Sequence, residues 1–121
     1  MAEAWPRAAE FYQKLSEAAS DPVKKTQYRL ANARAQQHWG KPSKALEICL
    51  EVIKSDVRGA LREAAYQCAG TSLEGNREFA KALKLYETFL TEAENERAAA
   101  WAMLRKAYCL ERTGSTAAAL N

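Results

Sequence analysis

The chain has 121 residues, 48% of them hydrophobic, with five glycines, three prolines and a net charge of +3. That composition fits one helix-rich domain or a piece of one, and the charge is too mild to indicate nucleic acid or an anionic membrane by itself. No apolar run approaches the ~18 residues of a membrane span, no basic-then-apolar leader opens the chain, and three cysteines cannot all pair within it, so a reducing, cytoplasmic setting is expected.

In chain order, Met1 to Ala4 read as a frayed start, and Pro6 suits the first turn of a helix, where its missing N–H is no loss. This first helix runs to about Ala19. Asp21-Pro22, a capping residue followed by a first-turn proline, opens a second helix that extends to about His38 and ends at Trp39-Gly40. Pro42 opens a third, to Lys54. Ser55 or Asp56 is expected to cap a fourth, which continues to Glu74 and stops at Gly75. Asn76 is expected to cap a fifth, to about Glu92, and Asn95 a sixth, ending near Arg112 before Gly114. Ser115 starts a seventh helix, cut short at Asn121, so the sequence is read as a fragment of a longer array. Connections this short make consecutive helices antiparallel, and no stretch alternates with period two, so no sheet is expected.

A repeat of 37 residues runs through these helices. Ala8, Ala45, Ala82 and Ala119 share one column, with Leu46, Leu83 and Leu120 following the last three. Three residues on stand Phe11, Ile48 and Leu85; four on, Tyr12, Cys49 and Tyr86; seven on, Leu15, Val52 and Phe89. Offsets of 0, 3, 4 and 7 define one face of a helix. Twelve residues before the alanines, Ala33, Gly70 and Ala107 are all small. Alanine fills 25 of 121 positions, so the larger apolar columns carry the repeat.

These residues resemble the tetratricopeptide repeat (TPR) family, whose unit is a helix–turn–helix of ~34 residues with small and aromatic side chains at fixed offsets. Gly40 to Leu46 and Gly114 to Leu120 resemble its turn and second-helix start; Ala33, Gly70 and Ala107 its small position; Tyr12, Tyr86, Leu15, Val52 and Phe89 its second-helix face. The resemblance implies an all-α array of about seven helices, antiparallel hairpins stacked into a right-handed superhelix. Its divisions would be a half-repeat 6–20, repeats 22–55 and 57–93, and a truncated repeat 95–121. Three departures stand out. The period is longer than the family's, the middle turn looks shifted because Gly75 precedes the column set by Gly40 and Gly114, and helix two carries Arg29 and Gln36 where large apolar residues are usual. That helix is either rotated, packing Tyr28, Ala31, Ala35 and Trp39, or loosely packed.

The resemblance also implies a scaffold that binds a protein or peptide segment in a concave groove lined by the first helix of each hairpin. Helical spacing from the small column points Leu30, Arg34 and Gln37 there, then Gln67, Thr71 and Glu74, then Leu104, Tyr108 and Glu111, with His38, Trp101 and Arg105 alongside. Trp101, Leu104 and Tyr108 read either as groove anchors or as side chains packed against helices five and seven. The chaperone-tail receptors of the family hold a carboxylate with Lys and Asn; Leu30, Arg34, Cys68, Trp101 and Arg105 stand at those positions, so that ligand is not expected. Six basic residues and no acid lie between Pro22 and Leu46, which is either a landing surface for an acidic partner or RNA, or a solvated face. Cys49, Cys68 and Cys109 lack the close pairing of zinc ligands, His38 is the only histidine, and the glycines form no phosphate loop, so no metal, cofactor or catalytic residue is expected. Self-association through the terminal helices is the alternative to a binding groove, with RNA binding behind it.

Overall fold

The computed structural model describes residues 4–114, and within them the chain forms six helices and no strand. These are α1 (Ala4–Ala18), α2 (Pro22–His38), α3 (Pro42–Lys54), α4 (Ala60–Gly75), α5 (Phe79–Glu92) and α6 (Glu96–Arg112). The seventh helix expected from Ser115, with Ala119 and Leu120, lies outside the described residues. None of the described helices is long and apolar enough to cross a membrane.

Where the sequence supplies a capping side chain, the helix starts beside it. Asp21 accepts from the Val23 amide at 3.4 Å and Asn95 from the Ala98 amide at 2.8 Å, each meeting an otherwise unpartnered N–H of the first turn. Two expected starts move. Ser55 closes α3 instead, its hydroxyl donating to the Val52 carbonyl at 2.6 Å, and α4 begins only after Gly59, at φ +71°. Midway between Asp21 and Asn95 in the repeat stands Arg58, which has no side-chain acceptor to cap with. Asn76 does not cap α5; it ends α4, and its amide donates to Ser43 Oγ at 3.0 Å.

The turns after α2, α4 and α6 are built alike. Gly40, Arg77 and Gly114, 37 residues apart, all adopt left-handed backbone, at φ +87°, +60° and +80°. Each donates its amide three residues back, to Gln37, Glu74 and Glu111 at 3.0, 2.9 and 3.1 Å. Lys41 and Glu78, one position on, reach back to Gln36 and Leu73, closing the αL turn typical of helix C-termini. The middle turn is therefore in register: Arg77 takes the left-handed place, and Gly75 is simply the last residue of α4.

Consecutive helices pack together, and α2 also touches α4. Antiparallel order is visible in α5 and α6, where Phe89 meets Trp101 near their connection and Phe79 meets Tyr108 far from it. The recurring face forms the core. Ala45, Cys49 and Val52 of α3, and Ala82, Tyr86 and Phe89 of α5, are all buried. On α1 the same columns are looser: Ala8, Tyr12 and Leu15 are half-buried and Phe11 is exposed, while Ala9 and Ser16, each one position after a column, are buried; among the described helices α1 packs chiefly on α2. Helix α2 matches neither expected arrangement. Leu30 and Ala33 join the core with α3 and α4, Asn32, Ala35 and Gln36 are buried too, and Trp39 is exposed.

Candidate functional site

A concavity of about 480 Å³ lies over α2, between α1 and α4. Its floor is Gln27, Leu30, Ala31, Arg34, Ala35 and His38, one continuous face of α2 by helical spacing. Trp5, Ala8 and Tyr12 form the α1 wall, and Leu61 and Ala64 the α4 wall. At one end the Trp5 and His38 rings stack with centroids 4.4 Å apart, tying the start of α1 to the end of α2. No acidic side chain lines the cavity, and Arg34 forms no ion pair among the described residues. An apolar hollow with one or two convergent polar groups is the usual form of a ligand pocket.

Of the residues expected in a groove, Leu30, Arg34 and His38 meet here, Leu30 with only its edge exposed. The others do not join them. Gln37 is turned into the structure, donating to the Cys68 carbonyl and to Ser72 Oγ, both at 2.8 Å, and so ties α2 to α4. Gln67 is half-buried, and the hydroxyl of Thr71 donates to the Gln67 carbonyl of its own helix at 2.8 Å. Trp101 is half-buried against Tyr86 and Phe89, with centroids at 5.3 and 6.1 Å, and serves as core. Leu104 is 67% exposed; Met103 and Tyr108 on α6 and Glu111 are exposed as well.

Glu74 and Arg105 are spent on each other. The Arg105 guanidinium donates twice to the Glu74 carboxylate, once at 3.2 Å, and the buried Tyr86 hydroxyl donates to it as well. This cluster joins α4, α5 and α6. Burial and the adjacent carboxylate hold the Tyr86 phenol well above its usual range, and burial with the Glu74 charge pushes the Cys109 thiol up to about 11. Cys49 and Cys68 belong to the core cluster behind the cavity floor, and the neighbouring thiol together with burial holds Cys49 far above the ordinary thiol range. Among the described residues no group of three His, Cys, Asp or Glu side chains is arranged to hold a metal ion.

Helical spacing on α2 marks the floor of the cavity, but its walls come from α1 and α4. The available signal for α1 was Trp5, Ala8 and Tyr12 at i, i+3 and i+7, of which Ala8 and Tyr12 belong to the recurring face itself. Comparison with known protein families, with curated proteins and with solved structures finds no match to this chain.

Proposed function

We propose that this chain is a protein-interaction module, a TPR-like array of antiparallel helix pairs stacked as a right-handed superhelix, with the α1–α2–α4 cavity receiving a segment of a partner protein. The observation that carries the reading is the cavity itself: about 480 Å³, apolar walls, and in its floor one guanidinium that forms no ion pair among the described residues. The array reading draws support from the left-handed turns recurring every 37 residues and from the buried alanines at 45 and 82. No catalytic role is part of the proposal. A cytoplasmic setting belongs to it, in keeping with three free, buried thiols.

Peptides selected against the chain from a displayed library test the reading. Their addition should shift the backbone amides of Gln27, Ala31, Arg34, Leu61 and Ala64 in heteronuclear NMR spectra, and Ala31→Leu, which fills the floor, should weaken them. Binding that leaves those amides unmoved removes the cavity from the proposal.

A second reading, self-association, is favoured by one observation: Met103, Leu104 and Tyr108 are exposed together on α6. Sedimentation distinguishes the two. A dimer that Leu104→Ser converts to monomer supports self-association, and a monomer at tens of micromolar, a concentration scale set by modest interfaces, counts against it.

A further inference from the structure

The cavity floor carries charge of one sign only. Arg29 is engaged by Glu51, and the Lys41 ammonium lies 3.6 Å from the centroid of the Trp39 ring. Lys24, Lys25, Arg34 and Lys44 form no ion pair among the described residues. Lys24 stands one turn before Gln27 on the face of α2 that floors the cavity, so an approaching chain meets a positive potential and then an apolar hollow with Arg34 inside it.

We infer that the occupant is an acidic protein segment that places an apolar side chain in the cavity and an adjacent carboxylate on Arg34. The inference rests on reading the cavity as a protein-binding site. A guanidinium matches a carboxylate with two parallel hydrogen bonds, and the surrounding apolar wall strengthens that pair relative to one in open water. The volume falls within the range of pockets that enclose a ligand, enough for a side chain and its neighbours but not for a whole helix. The same features disfavour RNA. The Trp5 ring is already stacked on His38, Leu and Ala make up much of the wall, and a phosphate backbone needs a track of cations where the cavity offers one.

Fluorescence anisotropy on the full chain tests this with three labelled probes. They are a blocked dodecapeptide with Phe or Leu flanked by Asp and Glu, its twin with Asn and Gln in place of the acids, and a single-stranded oligouridine. The acidic peptide should bind about fivefold tighter than its amide twin, the scale of a favourable ion pair at an exposed arginine. Arg34→Gln should erase that difference and leave the neutral peptide unchanged, while Ala31→Leu weakens both; circular dichroism checks that each variant folds. Equal binding of the two peptides, or a preference that survives Arg34→Gln, overturns the inference and leaves the protein-binding reading in place. Absence of binding by either peptide, binding untouched by Ala31→Leu, or preferential binding of oligouridine overturns both.

Discussion

Tyr86 lies directly against Gly70. A β-carbon at position 70 would stand 2.5 Å from Tyr86 Cε1 and 2.6 Å from Cζ, and closer still to the phenolic oxygen. Glycine inside a helix is unfavourable by about 1 kcal/mol relative to alanine, so its place in α4 is explained by the ring of α5 and not by helix formation. One repeat earlier the same two columns hold Ala33 and Cys49, where the smaller thiol leaves room for a methyl group.

Gly70→Ala should therefore destabilise the chain by about 1–3 kcal/mol, as overpacking in a closed core does, although alanine is the better helix former. In a Tyr86→Cys background, which restores the pair found at 33 and 49, the same substitution should become neutral or stabilising. Urea denaturation of the four proteins of this cycle gives the coupling directly. A cost for Gly70→Ala that is the same in both backgrounds would show that the ring is not what excludes the methyl.

Arg77 holds φ +60° where Gly40 and Gly114 hold the equivalent turns. A left-handed backbone costs a non-glycine residue roughly 1–2 kcal/mol, of which glycine's greater freedom in the unfolded chain returns about half. Arg77→Gly should raise stability by about 0.5–1 kcal/mol, read as an increased urea midpoint with unchanged slope. A decrease would mean that the Arg77 side chain contributes more than its backbone loses.

Local chemistry wrote much of this fold into the sequence, and tertiary packing supplied the rest. Asp21-Pro22, Pro42 and Asn95 mark the starts of α2, α3 and α6 because a cap or a first-turn proline acts on its own helix. The starts of α4 and α5 were not legible in the same way. They follow turns at Gly59 and Arg77, and nothing in the residue type arginine announces a left-handed backbone. The site divides similarly. Spacing along α2 puts Leu30, Arg34 and His38 on one face, but it gives only direction. It did not reveal that Trp5, Tyr12 and Leu61 would face them, that Gln37 would be spent on α4, or that Glu74 would hold Arg105.

Gln36 is buried in α2 at the repeat position occupied in α4 by Leu73, which is also buried. Its Nε2 donates to Asn32 Oδ1 at 3.3 Å, but its own Oε1 has no hydrogen-bond partner. An unpartnered buried amide oxygen is unfavourable by about 1–3 kcal/mol, offset here only by the weak bond to Asn32. Gln36→Leu should stabilise the chain by about 1 kcal/mol in thermal or urea unfolding. Destabilisation would indicate that the Asn32 bond is worth more than the orphaned acceptor costs.

An acid-sensitive contact joins the start of α4 to the end of α5. The Arg62 guanidinium bonds to Glu92 and also donates to the Ile53 carbonyl at 2.6 Å, so one side chain binds the end of α3 to the end of α5. Hydrogen bonding to Arg62 holds the Glu92 carboxyl below its ordinary value of 4.5, with the hydroxyl of Tyr66 adding a weaker bond at 3.2 Å. A carboxyl whose value is depressed by folding stabilises the folded chain fully above the unfolded value, and that contribution is lost as pH falls through the folded one. Glu92→Gln should therefore lower the urea midpoint at pH 7, and the gap to the parent chain should narrow below pH 4.5 and close in stronger acid. With both partners partly solvated, the gap at pH 7 should also shrink in high salt. A gap that stays constant from pH 7 into strong acid would mean that Glu92 acts through the shape of its side chain and not through its charge.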